Sequence, residues 1–455
     1  MAEDQGMKDR IVDQVEAMRE EIVDLLRELI KIPSMTGEEG RAQALVARQY
    51  EAMKLDVDIW EPDVEELFHK YPEVAQYPSH WEHDLILPYR DLPTYQDLIA
   101  SKKTDVLNYR GRPNVVGTWK GTGGGRSLIL NAHIDTVTVE PREAWTRDPF
   151  GAEIEKGTLY GRGASDDKGG IVAAIGAVRS LLALGITLRG DVILESVVNE
   201  EHAGNGTLAC IARGYTADAG IALESSENKV RIGSYGGVYW GIDVTGRVLH
   251  TKNRWSGSVQ KGVSAVEKLS VIIKALLKLE ADQNGKPVSG MYSGEMPFSL
   301  NIGRVWGGSY DTASAGNCSL RGSIYFGPDI GSVKGVMDSF REYIMRAADE
   351  DPWLRENPPE VLFYHHDDAH RMDPNVEIVG TLLASGEQAL GRKMETVAGI
   401  GANDCRHLVN QGKIPSVVIG PGGATQSHSI DESVQIESVI DNVKILALTI
   451  YHWCR

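Results

Sequence analysis

At 455 residues, 42% hydrophobic and 24% charged, the chain has an ordinary globular composition and is too long for one core, so two domains are expected. A net charge of −17 argues against nucleic acid or an anionic membrane surface as the main partner. The opening MAEDQGMKDR is polar, without the apolar core of a signal peptide, and no apolar run approaches the ~20 residues of a spanning helix.

In chain order, Ile11, Val15, Met18, Ile22, Leu26 and Leu29 recur at helical spacing, and Pro33 stops that helix. Residues 61–113, rich in Pro, Tyr, His and acidic groups, have no clean period and read as an insertion or long surface excursion. KGTGGGR at 120–126 lacks the Lys-Ser/Thr ending of a phosphate loop, and a hairpin turn is expected there. Apolar strand-like runs follow at 127–132, 191–198, 219–224 and 415–420, with a helix over 169–184 between the first two. Such runs alternating with helices indicate an α/β domain with a mainly parallel sheet buried on both faces.

Around 236–368 the texture changes. GVYWGIDVTGRV alternates, helices are expected over 262–280 and 331–348, and SLNIGRVW and CSLRGSIYF read as strands. This is a small α+β unit inserted into a larger domain made of 1–235 and 369–455. Cys210, Cys318, Cys405 and Cys454 are scattered, with no Cys-x-x-Cys pair. That pattern suits a reducing cytoplasm and argues against a thiolate metal site.

The polar residues of interest lie at the ends of the apolar runs. His133 and Asp135 close LILNAHID, Glu200 and Glu201 close ILESVVNEE, and Glu224 closes AGIALE. Asp166 lies in the turn GRGASDDKGG before a helix, and His428 in the loop GPGGATQSHS after a strand. Each alone would serve as a structural hydrogen-bonding group or a helix cap. Together they converge on the crevice beyond the strands' carboxyl ends, where so many carboxylates need a positive counter-charge. Their mixed nitrogen and oxygen donors suit Zn²⁺, with Co²⁺ or Mn²⁺ as alternatives.

These motifs resemble the co-catalytic zinc amidohydrolase superfamily of acetylornithine deacetylase, succinyl-diaminopimelate desuccinylase, aminoacylase and glutamate carboxypeptidase, over nearly the whole chain except 61–113. The resemblance implies two metals per subunit bridged by Asp166, with His133 and Glu224 completing one site and Glu201 and His428 the other. It implies that Asp135 accepts the ring N–H of His133, and that the Asp166–Asp167 peptide is cis. Glu200, not a ligand, would take the proton of the attacking water and pass it to the departing amine.

In the inserted unit, VTGRVLH followed by KGVSAVEKL is similar to the family's Gly-x-x-x-His segment and the helix start after it, with Ser264 where the family has Asn. By that match His250 donates to the oxyanion, usually across a dimer interface, which implies that the inserted unit 236–368 is a lid and dimerisation domain and that a homodimer forms through it. Asn301 and Arg321 match the Asn and Arg that grip the substrate carboxylate.

The activity implied first is deacylation of a small N-acyl amino acid, like that of acetylornithine deacetylase. The alternatives are a dipeptidase or carboxypeptidase acting on a small peptide, and a deformylase of an aminopyrimidine, since some relatives carry a lead-in like RPNVVGTWKGTGGG. A catalytically silent metal-binding relative is disfavoured by the intact Glu200. A nucleotide-binding module is disfavoured by the incomplete glycine loop.

Overall fold

The computed structural model of the chain describes residues 2–80, 85–288, 290–399, 401–423 and 425–455. The first helical stretch is two helices, Ala2–Ala17 and Arg19–Ile30, separated by a turn at Met18. All six residues of the expected apolar stripe are buried, so the period reports the packed face even though the helix is broken.

The larger domain is built on an eight-stranded sheet. Its centre is four parallel neighbours in the order Val192–Val197, Leu128–His133, Ala219–Ala222, Ser416–Val418. Asn114–Trp119 and Asp56–Trp60 extend one side antiparallel. Val230–Arg231 and Thr396–Val397 complete the other side. The strands read as continuous apolar runs because both faces are covered. Leu128 and Leu130 point into the core shared with helices Lys168–Ala183 and Ile436–Cys454, while Ile129 points to the opposite face, with Cys210 and Leu408. Among the described residues no helix is long and apolar enough to cross a membrane.

KGTGGGR is not a hairpin turn. The strands on either side of it do not pair with each other, because Val192–Val197 lies between them. The loop crosses the end of that strand, where the Thr122 and Gly123 amides donate to the Leu188 and Arg189 carbonyls at 2.9 and 2.8 Å.

The inserted unit carries a four-stranded antiparallel sheet in the order Phe298–Gly307, Asn317–Phe326, Gly236–Thr245, Glu360–Asp367. Helices Ala265–Asn284 and Val333–Glu350 cover one face, burying Trp240, Ile242, Leu320, Ile324 and Phe340. Tyr239, Arg321 and Tyr325 stand on the other face. The chain enters and leaves this unit side by side, Gly233–Ser234 pairing antiparallel with His370–Arg371.

Residues 61–113 are not a surface excursion. They hold helices Val64–Lys70, capped by Asp63, and Tyr95–Ala100, capped by Thr94. Leu67, Phe68, Val74, Tyr77, Tyr89 and Leu98 join the apolar core of the lid, together with Leu208 from the larger domain. The Tyr89 amide and carbonyl both bond to Phe363, extending the outer lid strand by one bridge.

Candidate active site

The turn that presents Asp166 is organised by a residue without a motif. The buried Glu432 carboxylate accepts from the amides of Gly163, Ser165 and Asp166 at 2.9–3.1 Å and pairs with Arg162 at 2.7 Å. The Asp166–Asp167 peptide is cis, as the resemblance implies. Lys168 is buried, its amine donating to the Leu29 and Ile32 carbonyls, and burial pulls its pKa down to about 7.

The expected metal-ligating side chains meet at the carboxyl ends of the central strands. His133 Nε2 lies 3.0 Å from Asp166 Oδ1 and 3.6 Å from Glu224 Oε1. His428 Nε2 lies 2.8 Å from Glu201 Oε2 and 3.5 Å from Asp166 Oδ2. The donors form two triads, His133–Asp166–Glu224 and Asp166–Glu201–His428, each with its ligand atoms within 4.8 Å of one another and sharing Asp166.

The electrostatics show what these groups lack without a cation. Burial pushes Glu224 up to about 8, and the nearby Asp166 and Glu201 charges add to the rise. Burial and the Glu224 charge raise Glu200 well above the usual carboxylate range. His428, half exposed at the cavity mouth, is held up at about 10, chiefly by the Glu201 charge. Burial would lower His133, but its bond to Asp166 and the Glu224 and Glu200 charges outweigh that and hold it high. Each shift favours the protonated form, as expected where carboxylates crowd together without a cation between them. Glu201 Oε1 is buried with no hydrogen-bond partner, an acceptor free to ligate a cation. The donor set therefore fits a pair of divalent metals with mixed nitrogen and oxygen ligands.

Asp135 does something other than expected. The His133 Nδ1 partner is the Asp135 backbone carbonyl at 3.0 Å, while its carboxylate lies 3.7 Å away. That carboxylate accepts instead from the Glu200 amide at 3.1 Å, the Glu201 amide at 3.2 Å and the Thr36 hydroxyl at 2.7 Å. One residue thus fixes the His133 ring through its main chain and the Glu200–Glu201 pair through its side chain. Glu200 Oε2 sits 4.0 Å from His133 Nε2, facing the cavity without joining either triad.

The cavity above these groups measures about 210 Å³. Its lid-side wall is Tyr239, Tyr325, His365 and Asp367, with Arg406 from the larger domain. The Tyr239 and Tyr325 hydroxyls lie 3.2 Å apart, and the Tyr239 and His365 rings are 5.0 Å apart. Asp367 pairs with His365, and at 2.7 Å with Arg406, which also lies 3.6 Å from Asp404. Gly204 makes room for this arrangement. At φ +65, a Cβ there would meet Arg406 Nη2 at 2.4 Å. No motif marks these wall residues. The one available signal is an aromatic residue on the otherwise polar side of the alternating strand GVYWGIDV.

Three expected residues are not brought to this cavity. His250 is exposed on a lid loop, its Nδ1 accepting from the Lys252 amide at 3.1 Å. Asn301 is exposed on the outer strand opposite Ser323. Arg321 shares a face with Tyr325 but stands four residues, about 13 Å, further along the strand. Its guanidinium is held by Asp243 at 3.0 and 3.2 Å and lies over the Trp306 and Tyr364 rings.

Residues 129–452 match the family model described as Peptidase family M20/M25/M40. The chain belongs to this family. It is a metal-dependent hydrolase of amide bonds, with the family's α/β catalytic domain and inserted second domain. Two relatives named N-formyl-4-amino-5-aminomethyl-2-methylpyrimidine deformylase, from Halalkalibacterium halodurans and Bacillus subtilis, are 33% and 34% identical to it, each match covering 76% of this chain and 84% of the relative. The di-peptidase Dug1p from Saccharomyces cerevisiae shares the fold at a TM-score of 0.69, with 15% identity over 98% of both chains.

Proposed function

We propose that this protein removes the formyl group from an N-formyl aminopyrimidine, releasing formate and the free amine. The observation that carries this reading is the one-third identity to two deformylases across three quarters of the chain. The cavity agrees with it. Its lid wall offers tyrosine and histidine rings against which a flat heterocycle can stack. The cation among its described lining residues, Arg406, is already committed to Asp367 and Asp404, which leaves a substrate carboxylate poorly served. An acetylornithine deacetylase-like activity, the first expectation from the motifs, needs such a carboxylate grip.

Two metals, zinc or alternatively cobalt or manganese, would be held by His133, Asp166 and Glu224 and by Asp166, Glu201 and His428, and would supply Lewis-acid polarisation of water and carbonyl. Glu200 takes a proton from water as its oxygen attacks the formyl carbon. The carbon–nitrogen bond breaks and Glu200 returns the proton to the leaving amine. Metal-loaded protein should release formate from the N-formyl aminopyrimidine with kcat/KM at least about a hundredfold above N-acetylornithine, N-succinyl-diaminopimelate or a dipeptide. Faster turnover of any of those three would overturn the assignment.

We further infer a homodimer in which His250 serves the partner's site as oxyanion donor. Exposed Val248, Trp255, Val259 and Tyr310 surround the loop that carries it, apolar surface suited to burial against a second copy. His250→Ala should lower kcat roughly a hundredfold with metal content unchanged. Mixing it with Glu200→Ala chains should restore activity, because one hybrid site regains both groups. Proven hybrids without recovery would remove His250 from the partner's site.

A further inference from the structure

The described residues of 72–109 have no counterpart among the motifs, yet they bond both to the turn that carries Glu200 and to the lid strand that walls the cavity. Asn199, immediately before Glu200, has φ 66, a left-handed conformation that asparagine tolerates better than most residues. Its carbonyl accepts from the Ala203 and Gly204 amides at 3.0 and 2.8 Å, closing the tight turn that carries Glu200 and Glu201. Its fully buried side chain is gripped at both ends by the segment. The Tyr109 hydroxyl donates to Oδ1 at 2.7 Å, and Nδ2 donates to the Ser79 carbonyl at 3.2 Å.

Gln76 reaches further. Its side-chain amide donates to the Ala203 carbonyl at 3.3 Å and to the His366 carbonyl at 2.6 Å, joining the catalytic turn to the outer lid strand. Its main chain exchanges two bonds with the Asn205 side chain, at 2.6 and 3.3 Å. On the lid side, the Tyr89 hydroxyl lies 2.6 Å from His366 Nδ1. His366 sits between His365 and Asp367, the two residues of that strand that wall the cavity.

We propose that Gln76, Tyr109 and Asn199 are positioning residues for the hydrolytic reaction, holding the Glu200 carboxylate and the His365–Asp367 wall in fixed register. The two ends of the grip do different things. Tyr109 and Asn199 act on the turn alone and so on the chemical step. Gln76 spans the turn and the wall, so it acts on the chemical step and on substrate fit. None of the three touches a metal-ligating atom, so metal content is independent of the grip.

The proposal rests on an amide-hydrolysing site but not on the identity of the amide. The wild-type assay on the N-formyl aminopyrimidine tests the substrate. The ratio of variant to wild type, on whichever amide the wild type hydrolyses best, tests the grip. Tyr109→Phe keeps the ring and removes the hydroxyl, and Asn199→Gly keeps the backbone angle and removes the side chain. In metal-loaded full-length enzyme each should lower kcat about tenfold or more, with KM and bound metal unchanged. The double variant should be no worse than the more damaging single, because Asn199→Gly already removes the contact that Tyr109→Phe cuts. Gln76→Ala should lower kcat and raise KM together. Where Asn199→Gly does not fold, Tyr109→Phe alone decides, with hydrogen exchange at the Ala203 and Gly204 amides as a readout free of activity. Wild-type kcat in Tyr109→Phe, additive losses in the double variant, or loss of bound metal in a folded single variant would each overturn the assignment.

Discussion

Glu200→Gln should bind its full complement of metal and lose ~10²–10⁴ of its turnover, whereas Glu201→Gln should lose metal from one of its two sites. The two neighbours have opposite surroundings although both main-chain amides hang on one carboxylate, that of Asp135. Glu201 has one oxygen 2.8 Å from His428 and the other buried without a partner, the arrangement of a ligand. Glu200 belongs to neither triad and faces the cavity, and burial and the Glu224 charge raise it above the usual carboxylate range, the setting of a group that exchanges a proton rather than holds a metal. Glutamine keeps the shape and removes the proton-accepting oxygen. Elemental analysis with steady-state kinetics separates the two roles, and equal metal loss in both variants would refute the division between them.

Asp166→Asn should lose both metals and fall below detectable turnover. Asp166 is the sole residue common to the two triads, with one oxygen toward His133 and the other toward His428. An amide offers one oxygen acceptor and a donor nitrogen, so one site loses its ligand outright and both lose the shared negative charge. Retention of one metal at wild-type affinity after dialysis would show that the sites are independent. In the native enzyme, metal uptake must also displace protons. The Glu201 charge holds the metal-free His428 at about 10, so at pH 7 the ring carries a proton that has to leave. Affinity at that site should therefore weaken as pH falls, by about tenfold per unit for each proton displaced.

The candidate ligand set was legible because His133, Glu201 and Glu224 follow the ends of apolar runs and Asp166 and His428 lie in glycine-rich loops beside them, and parallel strands buried on both faces end at one rim of the sheet. Chemistry that depends on contacts across the fold was not legible. Two-residue spacing put Asp135 beside His133 but could not say whether its carbonyl or its carboxylate would face the ring. Arg406 and Asp367 meet across two domains, and nothing in either local sequence announces the pairing. Arg321 shares a face with Tyr325 but stands about 13 Å further along the strand, and a motif match reports neither the side of a sheet nor the distance along it. The glycine-rich loop misled because strands adjacent in sequence are separated in space by Val192–Val197. Residues 61–113 were opaque for a related reason. Their apolar groups pack against partners from two domains at once, which imposes no single period.

The paired strands Gly233–Ser234 and His370–Arg371 bear on ancestry. A unit whose two ends are already zipped together can be spliced into a parent chain, or out of it, at a single loop, with the parent sheet left whole. The segment that buttresses it has no such freedom. Stripped of the lid, Leu67, Phe68, Tyr77 and Tyr89 would lose the core they share with it and face water. The buttress thus depends on the cassette for its burial.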